Sequence, residues 1–99
     1  MLTLPIKKKW FDMIASGEKL EEYRDLTVYY TVRFGFEYGL NPGTQSAFRT
    51  IRFRNGYSKN SPLLECAVMI ETGYGKIEWG AKELELCFVI HILEKRIIQ

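Results

Sequence analysis

Three charged side chains lie close together in the stretch from Gly17 to Arg24, which reads Gly-Glu-Lys-Leu-Glu-Glu-Tyr-Arg. Lys19, Glu22 and Arg24 bring an amine, a carboxylate and a guanidinium together within this stretch. If residues 20–24 form a strand, Glu22 and Arg24 point to the same face, because side chains alternate along a strand. Such a cluster is either a solvated salt-bridged edge, which contributes little to stability, or part of a site for a charged ligand.

A run of three lysines, Lys7 to Lys9, precedes this stretch at the start of a predicted helix. The N-terminal end of a helix carries partial positive charge and free N–H groups, so it favours anions rather than lysines. The lysines either extend into solvent or, with Lys8 as our candidate, attract a phosphate group. The net charge is only +2, so an anion site would have to come from local clustering of this kind.

A second group of cations lies in the alternating segment from Phe48 to Asn55. Alternation places Arg52 and Arg54 on one face of a half-buried strand, about 7 Å apart. The Asn55-Gly56 dipeptide is typical of a turn, and Tyr57 follows it. Arginines can hold phosphate, the Asn55 amide can pair with a base edge, and an aromatic ring such as Tyr57 can stack on a base.

The pattern of apolar residues predicts the elements that position these groups. We expect strands at 2–5, 20–24, 48–55, 63–72 and 84–93, the last extending to about 98, and helices at 7–16 and 26–36. Gly17 ends the first helix, and helical spacing outweighs β propensity in the second. The Asn-Pro-Gly sequence within 39–47 predicts a mobile loop. Strands joined by glycine-rich turns favour an α+β fold, a single domain over 1–99, with a mixed or antiparallel barrel of about five strands and two N-terminal helices beside it.

Composition argues against several classes of site and location. Cys66 and Cys87 lie in apolar runs and His91 is the sole histidine, so we expect no metal, no cofactor and no Cys-His nucleophile. Buried free thiols are compatible with a reducing, cytoplasmic location. The early lysines are not followed by a signal-peptide apolar region, and no apolar run approaches the roughly 20 residues of a membrane span.

Several motifs occur in an order that resembles the ASCH domain of the PUA-like superfamily, over nearly the whole chain. They are Pro5-Ile6-Lys7, the helix Trp10 to Ile14, Gly-x-Lys-x-x-Glu-x-Arg at Gly17, Lys19, Glu22 and Arg24, the turn Arg54 to Tyr57, and Trp79-Gly80. The resemblance implies a PUA-like β-barrel with helices beside it. It also implies a cleft between barrel and helices, lined by the motif residues, that binds RNA or a modified nucleotide.

One branch of that family removes the acyl group of N4-acetylcytidine. It uses the lysine of the Gly-x-Lys motif, a threonine three residues later and a glutamate from a later insert. Lys19 matches the lysine, but Glu22 occupies the threonine position and the insert has no counterpart here. The resemblance therefore favours binding over catalysis.

Three hypotheses follow. The first is a module that binds RNA or a nucleotide. The second is a hydrolase of an N4-acylcytidine-like nucleoside or of RNA, in which Lys19 and Glu22 form an acid–base pair and Arg24 orients Glu22. The third is a protein-interaction or oligomerisation domain in which the motif is a structural ion-pair network. For the first, the expected ligand-binding residues are Lys8, Lys19, Glu22, Arg24, Arg52, Arg54, Asn55 and Tyr57.

Overall fold

The computed structural model describes residues 2–38 and 48–98, with the backbone alone for 36–38; the predicted loop at 39–47 lies outside the described residues. The elements in chain order are β1 (Thr3–Ile6), α1 (Lys8–Ser16), β2 (Glu21–Asp25), α2 (Val28–Tyr38), β3 (Arg49–Asn55), β4 (Leu63–Gly73), a single 3₁₀ turn (Ile77–Trp79) and β5 (Cys87–Ile97).

The five strands form a single mixed sheet in the order β1-β3-β4-β5-β2. Strand β1 runs parallel to β3, and the other neighbouring pairs are antiparallel. The result is a small α+β domain in which the sheet curves into a half-barrel and carries two helices. This confirms the predicted α+β class with about five strands and two helices. The two edge strands, β1 and β2, are those that flank α1 in the sequence, so the helix connects the two open edges.

The core lies on the concave side of the sheet and follows the alternation of the strands. In β4, the side chains of Leu64, Cys66, Val68 and Ile70 are buried, as the sequence predicted. They pack in one cluster with residues of β1, β3, β5 and both helices: Leu4, Phe11, Ile14, Phe34, Ile51, Phe53, Phe88 and Ile90 are among them. Burial of these side chains supplies the main driving force for folding.

The last strand begins later than predicted. Residues 84–86 precede β5, and Leu84 has a backbone φ of 53°, which lies in the left-handed region and is incompatible with an extended strand. Apolar content alone predicted a strand from 84, but the backbone turn there delays it to Cys87. In α1, Phe11 and Ile14 are the buried residues, and Trp10 is partly buried against the same core.

The turn between α1 and β2 places the charged stretch. Gly17 adopts a φ of 88° and its N–H donates to the carbonyl of Ile14 at 3.1 Å, which ends the helix. The N–H of Lys19 then donates back to the carbonyl of Met13 at 2.9 Å. The chain therefore reverses under α1, and the Lys19 side chain enters the protein instead of solvent.

Neither helix within residues 2–38 and 48–98 is long and apolar enough to cross a membrane.

Candidate functional site

The three charged groups of the opening stretch form a continuous ionic chain. The Nζ of Lys19 lies 3.2 Å from Oε1 of Glu22, and Nη2 of Arg24 lies 2.9 Å from Oε2 of the same carboxylate. The side chains of Lys19, Glu22 and Arg24 are 1%, 8% and 14% exposed. A solvated salt-bridged edge is thus wrong for this cluster: the carboxylate is buried between two cations.

Lys19 lies beneath the aromatic surface of α1. Its Nζ donates a hydrogen bond to the carbonyl oxygen of Trp79, and lies 4.3 Å from the centre of the Trp10 ring and 5.2 Å from that of Tyr23. Burial lowers the pKa of Lys19 below its ordinary value, because a desolvated ammonium is costly, while the Glu22 carboxylate opposes the shift. The amine is therefore held by protein groups on several sides.

Arg24 connects three elements. Besides its contact with Glu22, Nη2 donates to the carbonyl oxygen of Pro5 in β1 at 2.8 Å, and Nη1 donates to the hydroxyl of Tyr30 in α2 at 3.0 Å. Strands β1 and β2 are the two edges of the half-barrel, so this guanidinium bridges its open side. A charge-assisted fork of this kind fixes direction as well as distance.

A pocket of about 490 Å³ lies at this seam between the edge strands. Its volume falls within the range that small-molecule sites usually occupy. Its lining residues come from β1, α1, β2, α2 and the loop after β3: Pro5, Ile6, Lys7, Trp10, Glu22, Tyr23, Arg24, Asp25, Tyr30, Gly56 and Tyr57. A buried carboxylate and a guanidinium are thereby surrounded by aromatic side chains.

The structure brings together some of the predicted site residues. Glu22, Arg24 and Tyr57 line the pocket, and Tyr57 is 89% exposed at its rim. Lys19 does not line it, but supports Glu22 from beneath.

Besides Lys19, four predicted site residues lie outside the pocket lining, among the residues described. Lys8 is exposed and pairs with Asp12 at 2.6 Å. Arg52 pairs with Glu65 at 3.2 Å, on the face of β3 opposite to its buried residues, and Arg54 donates to backbone carbonyls of the following loop. Asn55 belongs to the base of that loop, where its N–H donates to the carbonyl of Pro62. Neither Arg52 nor Arg54 therefore lines the pocket together with Glu22.

Sequence reasoning missed Trp10, Tyr23 and Tyr30 as parts of the site's wall. The sequence placed Trp10 in the helical motif from Trp10 to Ile14, but that motif does not tell which of its side chains borders the pocket. Tyr30 had no usable signal, because its place depends on how α2 packs against β2. Lys7, rather than Lys8, is the lysine that reaches the pocket.

The described residues contain no group of three or more His, Cys, Asp or Glu side chains that could hold a metal ion. Both cysteines are buried free thiols. Burial raises the pKa of Cys66 to about 12 and also raises that of Cys87, so neither thiol is activated as a nucleophile.

No protein-family model, curated protein or solved structure gives a significant match to this chain.

The lowered pKa of Lys19 predicts a pH-dependent contribution to stability. Between the folded-state pKa and the ordinary value of 10.5, the unfolded chain holds a proton that the folded protein has lost, so folding becomes more favourable as pH rises. Replacement of Lys19 by methionine removes this term. We expect the unfolding free energy of wild type minus that of Lys19→Met, measured by urea denaturation, to increase from about pH 7 to pH 10.

The raised pKa values of Tyr23 and the cysteines act in the opposite direction, but both proteins share them and they cancel in the difference. Lys9→Met is the control for loss of one positive charge, because Lys9 is exposed while its Nζ lies over the same Trp10 ring at 4.6 Å. A difference between wild type and Lys19→Met that stays constant or falls over this range would contradict the prediction.

Proposed function

We propose that the protein binds a nucleotide, or a nucleotide unit of single-stranded RNA, in the pocket between the edge strands, as an ASCH domain of the PUA-like type would. The observation that carries this proposal is a buried and oriented carboxylate, that of Glu22, at a pocket walled by aromatic rings. The proposed substrate class follows from the chemistry of that pocket together with the motif resemblance.

The base would be recognised by Glu22 and by the aromatic walls. Each carboxylate oxygen of Glu22 contacts one cation, Lys19 or Arg24, and a carboxylate oxygen has lone-pair capacity for a second donor. The exocyclic amino group of a cytosine-type base is such a donor. Tyr57 presents an exposed ring on which a base can stack, whereas the rings of Trp10 and Tyr30 line the pocket while already contacting Lys19 and Phe34.

The phosphate would be held at the beginning of α1. Lys7 is the N-cap residue, makes no side-chain capping hydrogen bond and lines the pocket. The first N–H groups of a helix have no intrahelical acceptor, and the helix dipole adds partial positive charge there. This end of α1 takes the phosphate-binding role that the sequence had given to Lys8 and the arginines of β3.

The proposal predicts salt-dependent binding of a short fluorescein-labelled single-stranded RNA and of cytidine nucleotides, measured by anisotropy and by competition. Lys7→Ala should weaken binding and reduce the slope of log K against log salt by about 0.7, the value for one phosphate contact on a single strand. Lys95→Ala is the control, because Lys95 is an exposed lysine of β5 that lies away from the pocket lining.

Absence of binding to every one of these probes at low salt, in protein shown by circular dichroism to be folded, would overturn the proposal. Equal effects of Lys7→Ala and Lys95→Ala would overturn the assignment of the phosphate to α1.

A hydrolase that uses Lys19 and Glu22 is the second candidate, favoured by one observation: the amine with a lowered pKa lies 3.2 Å from a buried carboxylate. An amine and a carboxylate in contact are the groups that general acid–base catalysis uses. Against it, Lys19 is 1% exposed, and its Nζ is already bonded to the Trp79 carbonyl. A substrate in the pocket would meet Glu22 before it met Lys19.

The two functions are separated by an assay for acetate release from N4-acetylcytidine. Because Lys19 is enclosed, we expect wild type to bind the nucleoside without turnover. Turnover that is abolished in Lys19→Met and retained in Lys9→Met would instead establish the hydrolase. Turnover that survives Lys19→Met unchanged would exclude the Lys19 mechanism and leave the activity to other groups.

A further inference from the structure

The loop between β3 and β4, residues 56–62, is closed by its own backbone. The N–H of Asn55 donates to the carbonyl of Pro62 at 3.0 Å, and the N–H of Ser61 donates to that of Ser58 at 3.0 Å. Gly56 begins the loop with a φ of 83°, and its N–H donates to the carbonyl of Ile6 in β1 at 2.9 Å. These bonds fix both ends of the loop on the sheet.

Arg54 fixes the middle of the same loop. Its Nη1 donates to the carbonyl oxygens of Ser58 at 3.1 Å and Lys59 at 2.8 Å. Hydrogen bonds from a charged guanidinium are stronger than those between neutral groups. Within the described chain, Arg54 is not among the residues that line the pocket, and the hydrogen bonds of its Nη1 are made to the loop.

Tyr57 depends on that loop for its position. It lines the pocket together with Gly56, yet it is 89% exposed, so packing against the protein does little to hold the ring. The backbone of the loop therefore decides whether the ring lies over the pocket. A large exposed ring at the mouth of a pocket is suited to stacking on a bound base.

We propose that Arg54 is a positioning residue for ligand binding: it holds the loop of residues 56–62 so that Tyr57 forms the outer stacking surface of the pocket. The inference rests on the proposed function and deepens it. It also changes the role that the sequence predicted for Arg54, from a phosphate contact to a support for an aromatic one.

The first test needs no ligand. Hydrogen exchange of the amides in residues 56–62 is compared for wild type, Arg54→Ala and Arg49→Ala. Arg49 is an exposed arginine of the same strand that donates to the neighbouring carbonyl of Phe48 at 2.9 Å, so it is the control for charge. We expect exchange in the loop to accelerate about fivefold in Arg54→Ala, as loss of a typical hydrogen bond implies, and to stay unchanged in Arg49→Ala.

The second test is a double-mutant cycle on the affinity for the labelled single-stranded RNA. Tyr57→Ala should weaken binding about tenfold, as for loss of one stacked base. Arg54→Ala should weaken it by a smaller factor without reducing the slope against salt. The double variant should bind no more weakly than Tyr57→Ala, because Arg54 acts through Tyr57.

Unchanged hydrogen exchange of the loop in Arg54→Ala overturns the inference. Additive effects of Arg54→Ala and Tyr57→Ala on affinity, combined with a slope of log K against log salt that Arg54→Ala reduces by about 0.7, also overturn it, because they identify a direct phosphate contact. Both results are compatible with RNA binding by the wild type, so the proposed function stands. A wild type that binds no probe overturns the proposed function and, with it, the role of Arg54 in binding.

Discussion

The carboxylate of Glu22, buried between Lys19 and Arg24, is the interaction on which the remaining structure of the site depends. Removing three charges from water is costly, and their attraction compensates only when each remaining donor and acceptor is satisfied. The protein meets most of this requirement with groups from distant parts of the chain, since the carbonyls of Pro5 and Trp79 accept hydrogen bonds from the two cations. Among the described residues, Nε of Arg24 is buried without a hydrogen-bond partner. The ionic chain therefore connects β1, β2 and the 3₁₀ turn.

The same contacts close the open side of the half-barrel. In the sheet order, β1 and β2 are as far apart as two strands can be, yet Arg24 of β2 reaches Pro5 of β1. The short connection through α1 keeps the two edges together and places Lys7 and Trp10 beside the gap. The pocket is the space that remains where the sheet does not close, so its location follows from the topology.

The sequence predicted most of the framework, because the framework is specified locally. Alternation predicted the buried residues of β4 and a shared face for Glu22 and Arg24 in β2, and Gly17 predicted the end of α1; the structure confirms all three. The start of β5 was missed, since apolar content does not reveal the left-handed backbone at Leu84.

The site was predicted less well, because its composition is decided by packing between elements. Alternation correctly placed Arg52 and Arg54 on one face, but it did not predict the partners of that face. Arg52 forms an ion pair with Glu65 of the neighbouring strand, and Arg54 donates hydrogen bonds to the following loop. Tyr30 enters the wall through the docking of α2, for which a single sequence carries no signal. The ionic cluster itself had two interpretations, and burial of Lys19 and Glu22 excludes the solvated salt-bridged edge.

We propose that the Glu22 carboxylate binds a ligand and also stabilises the fold, and a pair of variants separates these two roles. Glu22→Gln alone leaves buried cations uncompensated and should destabilise the protein by about 3–5 kcal/mol. The double variant Glu22→Gln with Lys19→Met removes one cation together with the carboxylate, and should recover much of that stability. The decisive measurement is the affinity of the folded double variant for cytidine nucleotides. We expect this variant to bind at least about tenfold more weakly, as for loss of a hydrogen bond to a charged group, although the fold is retained. A double variant that binds as tightly as wild type would show that the ionic chain is structural alone.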